Sequence, residues 1–159
     1  MSAASEQFEI RSAEFEDVDG VLEAYEWLFT PPGSRPPSWN PDWARIALID
    51  AIGSDSVNVL IAVEGGRIAG FCTAYLDILS VRFGLRCWVE DLAVAPDLRS
   101  RGIGSALLAA ARSWAASRGA SHLELDSGSA RTAAHRFYVR EGAADPSLSF
   151  GWYGIGEDP

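Results

Sequence analysis

The chain has 159 residues, 48% of them hydrophobic and 22% charged, with a formal net charge of -9. That length buries a substantial core as one domain, and the acidic balance excludes a general nucleic-acid binder, which needs a basic face to displace counterions from phosphates. All 13 basic residues are arginine, which rules out lysine Schiff-base chemistry and the lysine-dependent phosphate loop.

Phe8–Ser12 alternates apolar and polar residues like a strand, and Asp17–Phe29 reads as an amphipathic helix with Val18, Val21, Leu22, Tyr25 and Leu28 or Phe29 along one face. Residues 30–41 are too rich in proline for either element, and a second helix starts near Pro41, carrying Trp43, Ile46, Ala47 and Ile49. Val57–Val63 and Ile68–Leu76 are apolar runs joined across Gly65-Gly66, a strong hairpin signal because both turn residues accept positive φ. Arg86–Val94 is a third strand of this group. Gly102–Arg118 is the clearest helix, His122–Leu125 a short strand, Ala130–Glu141 a helix, and Ser147–Tyr153 a final strand. The order predicts an α+β domain spanning 1–159, with a mixed, mostly antiparallel central sheet, one βαβ crossover and about four flanking helices. No apolar stretch approaches the roughly 20 residues of a spanning helix. No secretory signal is evident at the N-terminus, and Cys72 and Cys87 read as free thiols, so the expected setting is the cytoplasm.

The most informative segment is VEDLAVAPDLRSRGIGSALL, residues 89–108. A buried strand runs into a turn holding Arg99, Arg101, Gly102 and Gly104, and a helix begins there. The first amides of a helix lack intrahelical acceptors, the dipole adds positive character, and glycines let a phosphate come close. A dinucleotide fingerprint fails because Leu107 stands at its third glycine, and a tight turn with no ligand remains the plain alternative.

Arg99-Ser100-Arg101-Gly102-Ile103-Gly104, preceded by Glu90-Asp91-Leu92-Ala93-Val94, resembles the signature of the GNAT superfamily of N-acetyltransferases. Ala134, Phe137, Tyr138 and Gly142 are similar to a second element of that family, in the same order along the chain. The resemblance covers about residues 7 to 153 and implies the following. Acetyl-CoA would be the co-substrate, with no metal. Its pyrophosphate would lie on Arg99, Ser100, Arg101, Gly102, Ile103, Gly104 and Ser105, and its pantetheine along the backbone of Leu92, Ala93 and Val94. Val94 N–H would polarise the acetyl carbonyl. Tyr138 would protonate the leaving thiolate, and Glu90 would be the base, where some relatives carry a glutamate acting through water. Asp91 is the alternative base, its side chain expected on the opposite strand face unless a bulge intervenes. Arg131 replaces the asparagine that often contacts the cofactor.

The acceptor would be an amine of a small molecule or peptide. Trp27, Phe29, Trp39 and Trp43, with Glu23, Glu26 and Asp42 nearby in sequence, suit a cationic one, and a homodimer is compatible with the family. The alternative function is a catalytically degenerate member that binds acyl-CoA as a sensor or partner module. His122 and His135 lack partners at metal-ligand spacing.

Overall fold

A computed structural model describes residues 8–144 and 146–156. It comprises two compact units, the first ending at Leu125 and the second beginning at Asp126.

The first unit is built on a five-stranded sheet in the order β1 (Glu9–Ser12), β2 (Val57–Glu64), β3 (Arg67–Ser80), β4 (Gly84–Val94) and β5 (His122–Glu124). β1 to β4 pair antiparallel, and β4 pairs with β5 in parallel. The β2–β3 hairpin closes on Gly65 and Gly66 at φ 57° and 79°, the mirror-image turn that their missing Cβ permits.

Both faces of the sheet are covered, which explains why β2 reads as a continuous apolar run. Leu60 and Ala62 point one way, with Cys72, Ala74, Cys87 and Val89, onto α4 (Ile103–Ser117), which supplies Ile103, Leu107, Ala111 and Ala115. Val59 and Ile61 point the other way, with Phe71 and Ala93. There they meet Val18, Val21 and Ala24 of α1 (Val18–Ala24) and Leu48 and Ala51 of α3 (Pro41–Ile52). α4 is the crossover between β4 and the parallel β5. It packs closely enough that a Cβ on Gly70 would lie 3.0 Å from Ala93 O, Ile103 Cγ2 and Leu107 Cδ1.

Three expectations need correction. The helix expected over 17–29 is divided into a 3-10 turn (Phe15–Asp17), α1 and the short α2 (Glu26–Phe29), with the break at Tyr25. α3 begins where the sequence places it, capped by Asn40 Oδ1 accepting from the amides of Asp42 and Trp43 at 2.9 and 3.1 Å. Its core face is Leu48 and Ala51, however, while Trp43, Ile46 and Ile49 stand exposed. The third correction falls in the second unit, which holds α5 (Thr132–Arg140) and no strand among its described residues. Leu148, Phe150 and Trp152 alternate like a strand but stand exposed, and alternation without a neighbouring ladder does not make one. Among the described residues no helix is long and apolar enough to cross a membrane.

Candidate active site

The turn between β4 and α4 has the backbone that the glycines foretold. Ser100 lies at φ 62° and Gly102 at φ 82°, two left-handed residues immediately before the helix. A left-handed serine is uncommon, and such conformations gather where a backbone is shaped around a ligand. A Cβ at Gly102 would meet no protein atom within 4 Å, so the glycine serves the conformation and the open approach, not packing. The first turn of α4 carries no acidic side chain to compete for its amides. These features fit a pyrophosphate. The two arginines differ: Arg101 is tied to Glu64 at 2.7 and 3.1 Å, fastening the turn to β2, while Arg99 is exposed and its Nε donates to Val94 O at 3.4 Å.

β4 approaches this turn with one edge open. β5 pairs only with Arg86, Cys87 and Trp88, so the ladder between them ends before Val89. On the other side, Ala95 N donates to Ala69 O and Asp91 N to Thr73 Oγ1, so the odd-numbered residues direct their backbone groups at β3. By alternation, the amide groups of Leu92 and Val94 face the open edge. Ala93 instead pairs with Phe71 and packs its methyl under α1.

Glu90 is the extra residue of a β-bulge, since Asp91 pairs with Thr73 and Val89 with Ala74, leaving Glu90 without a partner on β3. The bulge changes the facing. Cys87 and Val89 point to α4 before it, and Leu92 and Val94 point there after it, so Glu90 and Asp91 both turn to the α1 face. The bulge that could intervene does so, and the two carboxylates do not lie on opposite faces. Glu90 is exposed, and its Oε2 accepts the Trp88 indole N–H at 2.6 Å.

Asp91 is the half-buried member of the pair. Its Oδ2 accepts the Tyr25 hydroxyl at 2.7 Å and the Thr73 hydroxyl at 3.2 Å. Burial pushes the carboxyl above its ordinary range, and the charge of Glu90 adds to this, while the two hydroxyl donors pull it down. Burial also raises the Tyr25 phenol, so it remains a proton donor to Asp91 at any ordinary pH. Among the described residues, neither Glu90 nor Asp91 is in an ion pair.

Aromatic rings gather around the Tyr25 that donates to this acid. Tyr25 lies 4.8 Å from Phe71 and 5.8 Å from Trp39, and Trp39 meets Phe29 edge-on at 4.8 Å. Of the residues expected on the acceptor side, Trp39 and Phe29 therefore join Tyr25. Trp43 does not, being two-thirds exposed on α3. Glu26 is bound to Arg35, whose guanidinium lies 5.2 Å from the Phe29 ring centroid. Glu23 and Trp27 instead line a cavity of about 560 Å³ with Arg67, Ala95 and Asp97, which contains neither bulge carboxylate.

Sequence reading passed over Tyr25 and Thr73 as functional residues. Tyr25 sat on a helix's apolar face and Thr73 inside an apolar run. The usable signal was a hydroxyl in each of two segments otherwise bound for the core, since buried hydroxyls require partners.

Arg131 and Tyr138 belong to the second unit. Arg131 is the residue before the first turn of α5, and Tyr138 lies within that helix, its ring edge-on to Phe137 at 5.3 Å. His135 Nε2 is 3.0 Å from Gly128 O, and among the described residues no three metal-ligating side chains cluster.

Residues 19–143 match the profile of the acetyltransferase (GNAT) family. An uncharacterized N-acetyltransferase, YhdJ, of Bacillus subtilis is 34% identical over 88 residues, covering 55% of this chain and 61% of that protein. The aminoalkylphosphonate N-acetyltransferase of Salmonella typhimurium is 33% identical over 95 residues, covering 60% and 62%. The chain thus spans about three-fifths of the length of these curated relatives. AAC(6')-Iy, in complex with the bisubstrate analog CoA-S-monomethyl-acetylneamine, superposes with a TM-score of 0.78 at 18% identity over 92% of this chain and 97% of that one. Glucosamine-6-phosphate N-acetyltransferase from Arabidopsis thaliana gives 0.75 at 19% identity, over 94% and 99%. The structural likenesses bear on the fold, and the profile match, over a chain with the turn and strand edge just described, settles the family. The chain belongs to the acetyltransferase (GNAT) family.

Proposed function

We propose that this chain is an acetyl-CoA-dependent N-acetyltransferase that moves the acetyl group directly onto an amine of a small molecule or peptide. The observation that carries the reading is the β4 edge, open from Val89 to Val94 and leading into a left-handed turn at a helix N-terminus. Leu92, Ala93 and Val94 would hold the pantetheine, and residues Arg99, Ser100, Arg101, Gly102, Ile103, Gly104 and Ser105 the pyrophosphate, with Arg131 a further contact. Acetyl-CoA supplies the thioester. The Val94 amide is the donor for the acetyl carbonyl, Tyr138 the acid for the departing thiolate, and Glu90 the exposed carboxylate that passes the amine's proton to water.

The acceptor in this reading is cationic. Two acidic residues without a basic partner, set among aromatic rings, favour an ammonium and repel a phosphorylated or phosphonylated amine. Sisomicin, an aminoglycoside bound in one similar structure, is therefore a better probe than an aminoalkylphosphonate. Free buried thiols at Cys72 and Cys87 fit a cytoplasmic location.

The test joins calorimetry of acetyl-CoA binding to thiol release over a panel holding sisomicin, spermidine, glucosamine-6-phosphate and 2-aminoethylphosphonate. Binding that is lost in Gly102→Val, and turnover that falls roughly 10²–10⁴-fold in Tyr138→Phe at unchanged affinity, support the reading. Binding without turnover on any amine favours the degenerate acyl-CoA module. No binding at all refutes both.

A further inference from the structure

We propose that Tyr25 and Thr73 are positioning residues, which pin one carboxylate oxygen of Asp91 so that the other, Oδ1, takes the first proton from the acceptor amine. The inference rests on the acetyltransferase reading and moves the first proton step from Glu90 to its neighbour.

The argument begins with where the hydroxyls go. Both donate to the same atom, Oδ2, at 2.7 and 3.2 Å. Thr73 Oγ1 also accepts from the Asp91 amide at 3.0 Å, so the strand and its side chain are fixed together. Oδ1 has no hydrogen-bond partner among the described residues. A carboxylate held by one oxygen, with the other left to a ligand, has its rotamer set before the ligand arrives. Glu90 has the opposite character, exposed and bonded only to the Trp88 indole.

Two elements of separate origin converge here. Tyr25 is delivered by the break between α1 and α2 and is 66 positions from Asp91, while Thr73 comes from the neighbouring strand. Thr73 is 1% exposed, among the described residues the single fully buried polar one within a core of apolar side chains, and its hydroxyl is spent wholly on Asp91. The bulge at Glu90 is what turns Asp91 toward them.

The groups facing Asp91 are Tyr25 from the helix side, Thr73 and Tyr75 from β3, and Glu90 from β4 itself; Asp50 of α3 bears on Tyr75, and the Cys72 thiol feels the charge of Asp91 from the other face of the sheet. None is basic. Burial holds both phenols and the Cys72 thiol protonated, so none of the three competes as a base at neutral pH. An incoming ammonium supplies the missing positive charge and favours the ionised carboxylate that must receive its proton.

The proton account closes as follows. The ammonium gives one proton to Asp91 Oδ1, which passes it through Glu90 to water. As the C–N bond forms and the thioester C–S bond breaks, the nitrogen gives up a second proton. That proton leaves to solvent, which in turn reprotonates the Tyr138 phenolate formed when Tyr138 donates to the thiolate, so one proton is released to solvent per amide formed.

The experiment uses the full chain loaded with CoA, with ¹³C-labelled aspartate to follow the Asp91 carboxyl by NMR, and thiol release against pH with sisomicin as acceptor. In Tyr25→Phe the ring contacts remain and the donor is lost. The Asp91 carboxyl is then expected to titrate at higher pH, and the acid limb of kcat/KM to follow it. The loss is about tenfold at pH 6 and shrinks toward pH 9, as expected of a hydrogen bond to a charged group. Thr73→Val moves both in the same direction by less, and Thr73→Ser restores them. Asp91→Asn loses more activity than Glu90→Gln. An Asp91 titration unchanged by Tyr25→Phe overturns the proposal without any acceptor being needed. Transfer by the wild type with an unmoved acid limb, or a more damaging Glu90→Gln, overturns this proposal alone. No transfer by the wild type to any amine overturns the enzyme reading and this proposal with it.

Discussion

The two faces of the sheet are built from different chemistry. Under α4 the sheet presents Leu60, Ala62, Cys72, Ala74, Cys87 and Val89, and the helix answers with Ile103, Leu107, Ala111 and Ala115, and among the described residues no polar side chain is fully buried there. Under α1 and α3 the face starts out equally apolar, with Val59, Ile61 and Phe71 against Val18, Val21 and Leu48, and then turns polar at Tyr25, Thr73 and Asp91. Burying a carboxyl without a counter-cation is unfavourable. The α4 face thus fixes the frame and the turn proposed to hold the pyrophosphate, while the opposite face gives up stability where the proposed acceptor enters.

The largest effect expected from this contrast is on the apolar side. Leu107 is fully buried between α4 and the sheet, so Leu107→Ala should cost about 2–5 kcal/mol in urea unfolding through lost transfer energy and the cavity left behind. A loss under about 1 kcal/mol would mean that the helix closes over the gap.

A smaller effect on the same face probes how it positions the turn. The Cβ introduced by Gly70→Ala meets the carbonyl of Ala93 and the side chains of Ile103 and Leu107 at 3.0 Å each. The carbonyl is backbone and cannot rotate away, so α4 must shift. The expected cost is about 1–3 kcal/mol, with weakened acetyl-CoA binding because Ile103 opens the helix at the turn proposed to hold the pyrophosphate. Unchanged stability and affinity together would show that the strand–helix contact yields without moving the turn.

The apolar face was legible in the sequence and the polar one was not. Period-3.6 spacing of Ile103, Leu107, Ala110 or Ala111, and Trp114, bounded by Gly102 and Gly119, specifies α4 and most of its inner face, which the structure completes with Ala111 and Ala115. The Gly65-Gly66 hairpin and the Arg99–Gly104 turn were equally readable, because positive φ leaves a signature in residue type. The bulge leaves none. A slip of one residue between Asp91 and Val89 depends on pairing with β3, so alternation alone put Glu90 and Asp91 on opposite faces. Tyr25 is hidden for the same reason, since its partner lies 66 residues away. α3 misled because Trp43, Ile46 and Ile49 share an apolar arc that the sheet does not cover. Ser147–Tyr153 had the right alternation, but no strand forms there among the described residues.

The smallest effect expected is on stability against pH, and it bears on the polar face directly. An unfolded aspartate titrates near a pKa of about 3.9, whereas burial, opposed by the hydroxyls of Tyr25 and Thr73, raises Asp91 in the folded chain. The folded state therefore holds this proton more tightly. The stabilisation is fully present below the unfolded value and is lost as pH rises through the folded one. Asp17 and Asp77 behave in the opposite sense, since hydrogen bonds from Arg11 and Arg86 lower them and their contribution fades as pH falls. Comparing wild type with Asp91→Asn cancels those two, because both proteins keep them. The amide cannot ionise, so the melting temperature of Asp91→Asn relative to wild type should climb with pH from about 4 upward and then level once Asp91 is charged. A difference that stays flat across that range would mean that the charge of Asp91 is as well accommodated in the fold as in water, and the contrast between the faces would then be one of shape and not of stability.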